Sequence, residues 1–154
     1  KPTRTRLIAV VLTLISIGGG LALGWPQVEK GPVSGSSHTE GALTWEVWSP
    51  EKVAELRAAN KAVYIDYTAK WCLTCQVNKH VYKNAELQKL ITDKKVVLLR
   101  ADWTNEDPRI TTALSELGKA AVPVNVLYVP NQTDPVILPE LLSVDNVSEA
   151  MNGL

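Results

Sequence analysis

Two cysteines, Cys72 and Cys75, are the residues of this sequence best suited to carry out chemistry. They are its only cysteines and are separated by two positions. They follow the β-branched and aromatic run 62–68, which predicts a strand, and the residues after them predict the start of a helix. A thiol at a helix N-terminus lies near unpaired backbone N–H groups and the positive end of the helix dipole, which stabilise the thiolate. We therefore predict that Cys72 is a nucleophile.

The second cysteine, Cys75, is expected one helical turn after Cys72 on the same helix face. From there it can attack a mixed disulfide between Cys72 and another protein, and so release that protein. The pair therefore predicts dithiol–disulfide exchange, with Cys72 attacking and Cys75 resolving. A purely structural disulfide fits less well, because a loop closed over two residues removes little entropy from the unfolded chain.

Metal binding is an alternative use of the same cysteines. A structural zinc site needs about four ligands, and the domain adds only His80, so we predict no metal and no organic cofactor. Covalent haem attachment needs a histidine directly after the second cysteine, where Gln76 stands. Soft thiolates also select copper(I), so a membrane-tethered copper(I)-handling module that uses Cys72 and Cys75 stays open as a second function.

Length and charge narrow the classes of protein further. A chain of 154 residues fits one ordinary domain plus an appendage. Apolar residues make up 45% of the chain and charged residues 21%, which is typical of a globular protein. Because 16 basic residues balance 16 acidic ones, we do not expect nucleic acid as a partner.

Residues 7–25 are an uncharged, mainly apolar run. A helix of this length covers about 28 Å, close to the hydrocarbon thickness of a bilayer. Basic residues precede the run, so the positive-inside rule places the N-terminus in the cytoplasm and the rest of the chain outside. We predict that residues 1–25 are a retained transmembrane helix with a basic cytoplasmic flank; a cleaved signal peptide is the alternative. A buried core helix fits poorly, because the glycines at 18–20 destabilise a helix in water.

A linker and one folded domain account for the remaining residues. Residues 26–43 are rich in Gly, Ser and Pro and predict a flexible linker before a domain at 44–154. The predicted domain has strands at 62–68, 96–101, 124–129 and 136–138, and helices at 49–60, 84–92, 107–117 and 144–151. Strands that alternate with helices predict an α/β fold with helices on both faces of a central sheet.

The segment YIDYTAKWCLTC resembles the active-site strand and turn of the thioredoxin superfamily. With RADWTNEDP and AVPVNVLYVP, the sequence is similar to the C-terminal domain of the DsbD family of thiol:disulfide interchange proteins over nearly all of residues 43–154. The resemblance implies a thioredoxin-like fold with a mixed sheet. It also implies that residues 7–25 are the last helix of a membrane electron-transfer domain of the same parent protein. The catalytic domain would then lie on the periplasmic side of the bacterial inner membrane.

The same resemblance gives roles to four further residues. Asp66 matches the buried acid that exchanges a proton with the deeper cysteine, and Trp71 matches the aromatic residue that shields the first one. Val122 and Pro123 match a cis-proline loop in which the backbone before the proline pairs with a partner's extended chain. Taken alone, Asp66 can also cap a turn, Trp71 can pack in the core, and Pro123 can be a trans proline that begins a strand. Lys79 stands where some family members carry an acid.

These features together predict a membrane-tethered protein-disulfide reductase. Reduced Cys72 attacks a disulfide in an exported partner and Cys75 resolves the intermediate. The resemblance implies that the membrane domain then re-reduces the pair with electrons from cytoplasmic thioredoxin. Expected clients are exported thiol proteins, such as an isomerase, a cytochrome c maturation factor or a metal-resistance protein. A redox-inactive interaction domain is a further alternative, against which the intact set of site residues argues.

Overall fold

A mixed six-stranded β-sheet organises residues 37–154, the part of the chain that the computed structural model describes. In chain order its strands are β1 (His38–Glu40), β2 (Leu43–Val47), β3 (Val63–Thr68), β4 (Val97–Asp102), β5 (Val124–Tyr128) and β6 (Val136–Ile137). Their order across the sheet is β1-β2-β4-β3-β5-β6. Strands β2, β4 and β3 are parallel, whereas β1, β5 and β6 are antiparallel to their neighbours. The predicted mixed sheet is confirmed, with β3 at its centre.

Five helices and one 3₁₀ turn accompany these strands within residues 37–154. They are α1 (Pro50–Ala58), α2 (Leu73–Asn78), the 3₁₀ turn (Val81–Lys83), α3 (Ala85–Asp93), α4 (Pro108–Glu116) and α5 (Val144–Asn152). The side chain of Ser49 accepts a hydrogen bond from the backbone N–H of Lys52, and that of Asn84 accepts one from Leu87. These two N-caps begin α1 and α3 close to the start of the helices predicted at 49–60 and 84–92.

Apolar side chains pack on both faces of the sheet, as the predicted α/β architecture requires. On one face, side chains from the sheet pack against α3 and α5; this cluster includes Trp45, Tyr64, Leu98, Leu127, Leu87, Ile91, Val147 and Met151. The opposite face packs against α4 and α1; its members include Val63, Ile65, Leu99, Val126, Ile110, Leu114, Val53 and Leu56. Successive residues of a strand point to opposite faces, so β3 contributes to both clusters and all six of its residues are buried.

Strand β1 lies within residues 26–43, the range that the sequence analysis assigns to a flexible linker. His38–Glu40 instead pairs antiparallel with β2, through a two-residue turn in which Gly41 has φ of +62°. A Cβ atom at Gly41 would lie 2.5 Å from the side-chain nitrogen of Gln88, so glycine suits this turn on two counts. The Gly-, Ser- and Pro-rich composition of residues 26–43 concealed this strand, although its partner β2 follows directly in the sequence as the second strand of a hairpin.

The predicted transmembrane helix, residues 7–25, lies outside the described residues. Within residues 37–154, no helix combines the length and the apolar character needed to cross a bilayer. The division of the chain at residue 25 therefore stays a prediction, whereas β1 and Leu43, the first residue of β2, belong to the sheet and lie on the linker side of the predicted boundary at 43.

Candidate active site

The cysteine pair lies where β3 passes into α2. The backbone N–H of Cys72 donates to the carbonyl of Ala69 at 3.3 Å, which turns the chain sharply after the strand. Cys72 is the N-cap of α2, and its Sγ accepts a hydrogen bond from the backbone N–H of Cys75 at 3.1 Å. The predicted placement of Cys72 at a helix N-terminus is thereby confirmed. A sulfur that accepts an N–H bond at this end of a helix is stabilised as a thiolate.

Cys72 and Cys75 are joined in a disulfide, with their Cα atoms 5.3 Å apart. The two sulfurs are therefore close enough to exchange a bond during a redox cycle. The Cys72 residue is 7% exposed and Cys75 is 2% exposed. This difference in burial agrees with a first attack by Cys72 and a later one by the deeper Cys75.

The Val122–Pro123 loop faces the disulfide. The peptide bond between the two residues is cis, so the trans alternative is wrong. The carbonyl oxygen of Val122 lies 3.8 Å from Cys72 Sγ. The side chain of Val122 packs against the cluster formed by Ala69, Cys72 and Cys75. The structure thus brings the predicted Val122 and both cysteines together, with Pro123 buried behind them.

Trp71 lies on the surface beside Cys72, and its side chain does not pack in the core. The residue is 57% exposed, and its indole Nε1–H donates to the carbonyl of Thr104 at 3.1 Å. The hydroxyl of Thr104 accepts a hydrogen bond from the backbone N–H of Lys70 at 2.9 Å, and Trp103 packs tilted against the Trp71 ring. Thr104 therefore holds the loop before the first cysteine at two points. Sequence reasoning did not single it out, because a threonine in a loop carries no distinctive signal.

Exposed apolar side chains surround the cysteines on the helix side. Trp71, Leu73 and Val77 are 57%, 79% and 49% exposed, and we call these three residues the apolar rim. Leu73 and Val77 are four positions apart and thus lie on one face of α2. Exposed apolar side chains next to a reactive group are typical of a contact site for another molecule.

Asp66 is buried in β3, the strand that leads to the cysteines. It is 3% exposed, and its carboxylate accepts a hydrogen bond from Arg100 Nε at 3.3 Å. Burial raises the pKa of Asp66 to about 6, although the positive charges of Arg100 and Lys79 oppose this shift. Because β3 continues to Thr68, Asp66 pairs with a neighbouring strand and does not cap a turn. Its carboxyl can therefore gain or lose a proton close to neutral pH.

Arg100 and Glu40 complete an ion-pair cluster that the sequence analysis missed. Arg100 donates from Nη1 and Nη2 to the two carboxylate oxygens of Glu40, at 3.0 and 3.2 Å. Its guanidinium also lies 4.2 Å from the centroid of the Trp45 ring. Arg100 is the single charged residue in the run VVLLRA, and a charge in a buried strand needs a partner. That signal could have identified Arg100, whereas no signal in the sequence points to Glu40.

Lys79 lies at the position where some relatives of the predicted family carry an acid. Its ammonium group donates to the side-chain oxygen of Gln76 at 3.2 Å. The lysine charge lowers the pKa values of both Asp66 and Glu40, so it contributes positive charge to this cluster. A mechanism that depends on a second carboxylate at position 79 therefore does not apply to this chain.

The redox group of the site is the cysteine pair itself. Within residues 37–154, no group of three or more His, Cys, Asp or Glu side chains is placed to hold a metal ion. His80, the third donor considered for copper(I), is exposed after α2. In this part of the chain the copper(I) alternative therefore has only the two cysteine sulfurs as a donor set.

Comparison with known proteins supports the fold. A protein family described as thioredoxin-like matches residues 44–130. A search of curated proteins found no match. Among solved structures, the reduced C-terminal domain of Neisseria meningitidis DsbD is 16% identical and has a TM-score of 0.56, over 70% of this chain and 97% of that one.

Two thioredoxins give similar values. The thioredoxin of Thermus thermophilus is 16% identical with a TM-score of 0.56, over 72% of this chain and 87% of that one. The thioredoxin of Malassezia sympodialis is 20% identical with a TM-score of 0.51, over 80% and 96% respectively. At these identities the likeness concerns the fold, which is the mixed sheet with helices on both faces described above.

We expect Asp66→Asn to change how the stability of the oxidised protein depends on pH. The folded pKa of about 6 lies above the ordinary value of 3.8, so the folded state binds more protons between these pH values. Wild-type stability therefore falls as pH rises through this window, by about 3 kcal/mol for a shift of this size. Asparagine does not titrate, so the variant does not show this loss. The free energy of unfolding, variant minus wild type, should rise by about 3 kcal/mol between pH 3 and pH 8.

Urea unfolding at several pH values measures this difference. The matched control is Asp134→Asn, which makes the same change in the exposed segment before β6. Equal slopes with pH for the two variants would contradict the assignment of a raised pKa to Asp66.

Proposed function

Because this chain belongs to the thioredoxin-like family, we propose that it is a thiol:disulfide oxidoreductase that works as a protein-disulfide reductase. The observation that carries the proposal is the Cys72–Cys75 disulfide at the N-terminus of α2, with the Val122 carbonyl 3.8 Å from Cys72 Sγ. A reactive sulfur, a resolving sulfur and a backbone acceptor are thus grouped at one surface. This grouping suits a reaction in which the second substrate is an extended polypeptide.

We propose that the partner polypeptide binds across the apolar rim and the Val122 loop. The rim offers apolar area from Trp71, Leu73 and Val77, while the backbone at Val122 offers hydrogen bonds to an extended chain. Backbone pairing is independent of side-chain identity, and pockets or apolar surface add the preference for particular side chains. Such a surface would present a partner disulfide to Cys72 without requiring one fixed sequence.

The exchange proceeds in two displacement steps. The Cys72 thiolate attacks one sulfur of the partner disulfide, whose S–S bond breaks, and the leaving thiolate takes up a proton. Cys75 then loses its proton to Asp66 and attacks Cys72 Sγ in the mixed disulfide. This step forms the Cys72–Cys75 disulfide and releases the second partner thiol, which is protonated in turn. Two electrons pass to the partner, and the domain is left oxidised as in this structure.

We further propose that the domain is the exported C-terminal module of a DsbD-type electron transporter. The quoted motifs, the likeness to the Neisseria meningitidis DsbD C-terminal domain and the uncharged run 7–25 support this assignment. In this proposal a membrane domain of the same parent protein re-reduces Cys72 and Cys75 with electrons from cytoplasmic thioredoxin. The clients are thiol proteins on the periplasmic side of the inner membrane, including factors of cytochrome c-type biogenesis.

The full chain in detergent should catalyse the reduction of insulin by dithiothreitol. Cys72→Ser should reduce turnover to the uncatalysed rate, because no nucleophile remains to attack the insulin disulfide. Cys75→Ser, reduced and then freed of dithiothreitol before insulin is added, should instead accumulate a mixed disulfide between Cys72 and insulin, which mass spectrometry detects. Equal turnover of the wild type and the Cys72→Ser, Cys75→Ser double variant would refute the proposed reaction.

The direction of transfer is tested by the reduction potential of the pair. A reductase should have a potential near that of thioredoxin, about −270 mV, and well below that of a dedicated oxidant, about −120 mV. Equilibration with glutathione buffers, followed by thiol labelling, measures the potential. A value close to −120 mV would reverse the proposed direction.

The membrane anchor is tested with full-length chains expressed in a Gram-negative bacterium. The wild type should stay in the membrane fraction after a carbonate wash, and protease added to spheroplasts should digest its C-terminal domain. Ile15→Arg puts a charge at the centre of the predicted span, at a cost of about 3 kcal/mol, and should reduce membrane retention. The same type of change in the predicted linker, Val33→Arg, is the control. A shortened wild-type product in the soluble periplasmic fraction would favour the cleaved signal peptide.

A further inference from the structure

The contacts in the Glu40–Arg100–Asp66 cluster indicate a role for Glu40, a residue outside the motifs described above. This inference rests on the proposed function. We propose that Glu40 is a positioning residue for disulfide exchange: it holds two nitrogens of the Arg100 guanidinium and leaves Asp66 a single contact with that cation. Asp66 is thereby kept able to accept a proton from Cys75. Glu40 does not touch the sulfurs or the partner and acts through Arg100.

The geometry of the cluster supports this role. Glu40 receives two hydrogen bonds from the terminal nitrogens of Arg100, whereas Asp66 receives one, at 3.3 Å, from Nε. Two-bond pairs between arginine and a carboxylate are the stronger arrangement. The Trp45 ring below the guanidinium restricts its rotation. The preferred partner of Arg100 is therefore Glu40. A two-bond pair between Arg100 and Asp66, which would hold the Asp66 carboxyl ionised, does not form.

The effects of the neighbouring charges on the pKa of Asp66 support the same role for Glu40. Burial dominates and raises its pKa, Arg100 and Lys79 lower it, and Glu40 raises it. Glu40 itself keeps a lowered pKa because Arg100 outweighs the effect of burial, so it stays ionised when Asp66 titrates. The other polar groups in this region are the hydroxyls of Tyr64 and Tyr82, the Asn125 amide opposite Asp66 in β5, and His38, which lies 3.6 Å from Glu40.

Glu40 lies in an edge strand, and this position links the ion-pair cluster to the attachment of that strand. Glu40 belongs to β1, a three-residue edge strand that pairs only with β2 in the described sheet. Displacement of β1 would remove Glu40 from Arg100, and the free guanidinium could then form a two-bond pair with Asp66. The proton affinity of Asp66 thus depends on a strand that lies in the segment predicted to be a tether.

The inference is tested by Glu40→Gln in the oxidised full chain in detergent. The Asp66 carboxyl is followed by NMR with ¹³C-labelled aspartate and is assigned by its absence in Asp66→Asn. Loss of the Glu40 charge should lower the pKa of Asp66 by about 1 unit. Glu46→Gln is the matched control, because Glu46 lies on the neighbouring strand and pairs with Lys52 at 3.2 Å. An Asp66 pKa that is unchanged or raised in Glu40→Gln would overturn the inference.

A second background shows whether Glu40 acts through the guanidinium fork. Arg100→Lys keeps the positive charge but cannot form the two-bond pair. If Glu40 acts by holding Arg100, the shift caused by Glu40→Gln should fall to less than half in the Arg100→Lys background. An equal shift in both backgrounds would mean a direct effect of the Glu40 charge and would overturn the positioning role. These titrations need no turnover, so an inactive wild type would refute the proposed function without deciding the role of Glu40.

Discussion

Burial of the Asp66 carboxyl inside β3 carries a free-energy cost that the surrounding charges offset only in part. The strand is buried along its whole length, so water cannot solvate the ionised carboxylate. Arg100 supplies one hydrogen bond and a positive charge, but its two terminal nitrogens are held by Glu40. The result is a carboxyl whose pKa of about 6 lies above the ordinary value of 3.8, so it is mostly ionised at neutral pH and still exchanges protons there.

The same strand carries the Asp66 carboxyl and leads into the turn that bears the two cysteines. Because β3 lies between β4 and β5, it is fixed on both edges by backbone hydrogen bonds. Its C-terminal end therefore delivers the turn at Ala69 and the N-terminus of α2 to a defined place. A position fixed in this way lets the Cys72 sulfur meet a backbone N–H on one side and the Val122 carbonyl on the other. These two contacts orient the Cys72 sulfur at the start of α2.

Local patterns accounted for the central strands, the four longer helices and the two cysteines, whereas β1 and the residues that act through long-range contacts were missed. Helix caps such as Ser49 and Asn84 act within three residues of themselves, so the sequence reveals them directly. The apolar runs of the central strands are equally local. By contrast, Glu40 contacts Arg100 across 60 positions of sequence, and Thr104 supports the loop at Trp71 from 33 positions away. Such pairs become visible only when the strand order brings them together.

The hydrogen bond between the Trp71 indole and the Thr104 carbonyl has a consequence for any molecule that packs against this surface. An exposed aromatic side chain ordinarily loses rotamer freedom when a partner packs on it, at a cost of about 0.5–1.5 kcal/mol. Here the ring is already held in one orientation, so little of that entropy remains to be lost. The domain therefore has little side-chain entropy left to lose at Trp71 when another molecule packs on it. Under the proposed function, partner polypeptides would all meet the same oriented indole, so differences in their affinity would arise mainly from the flexibility and sequence of the partners.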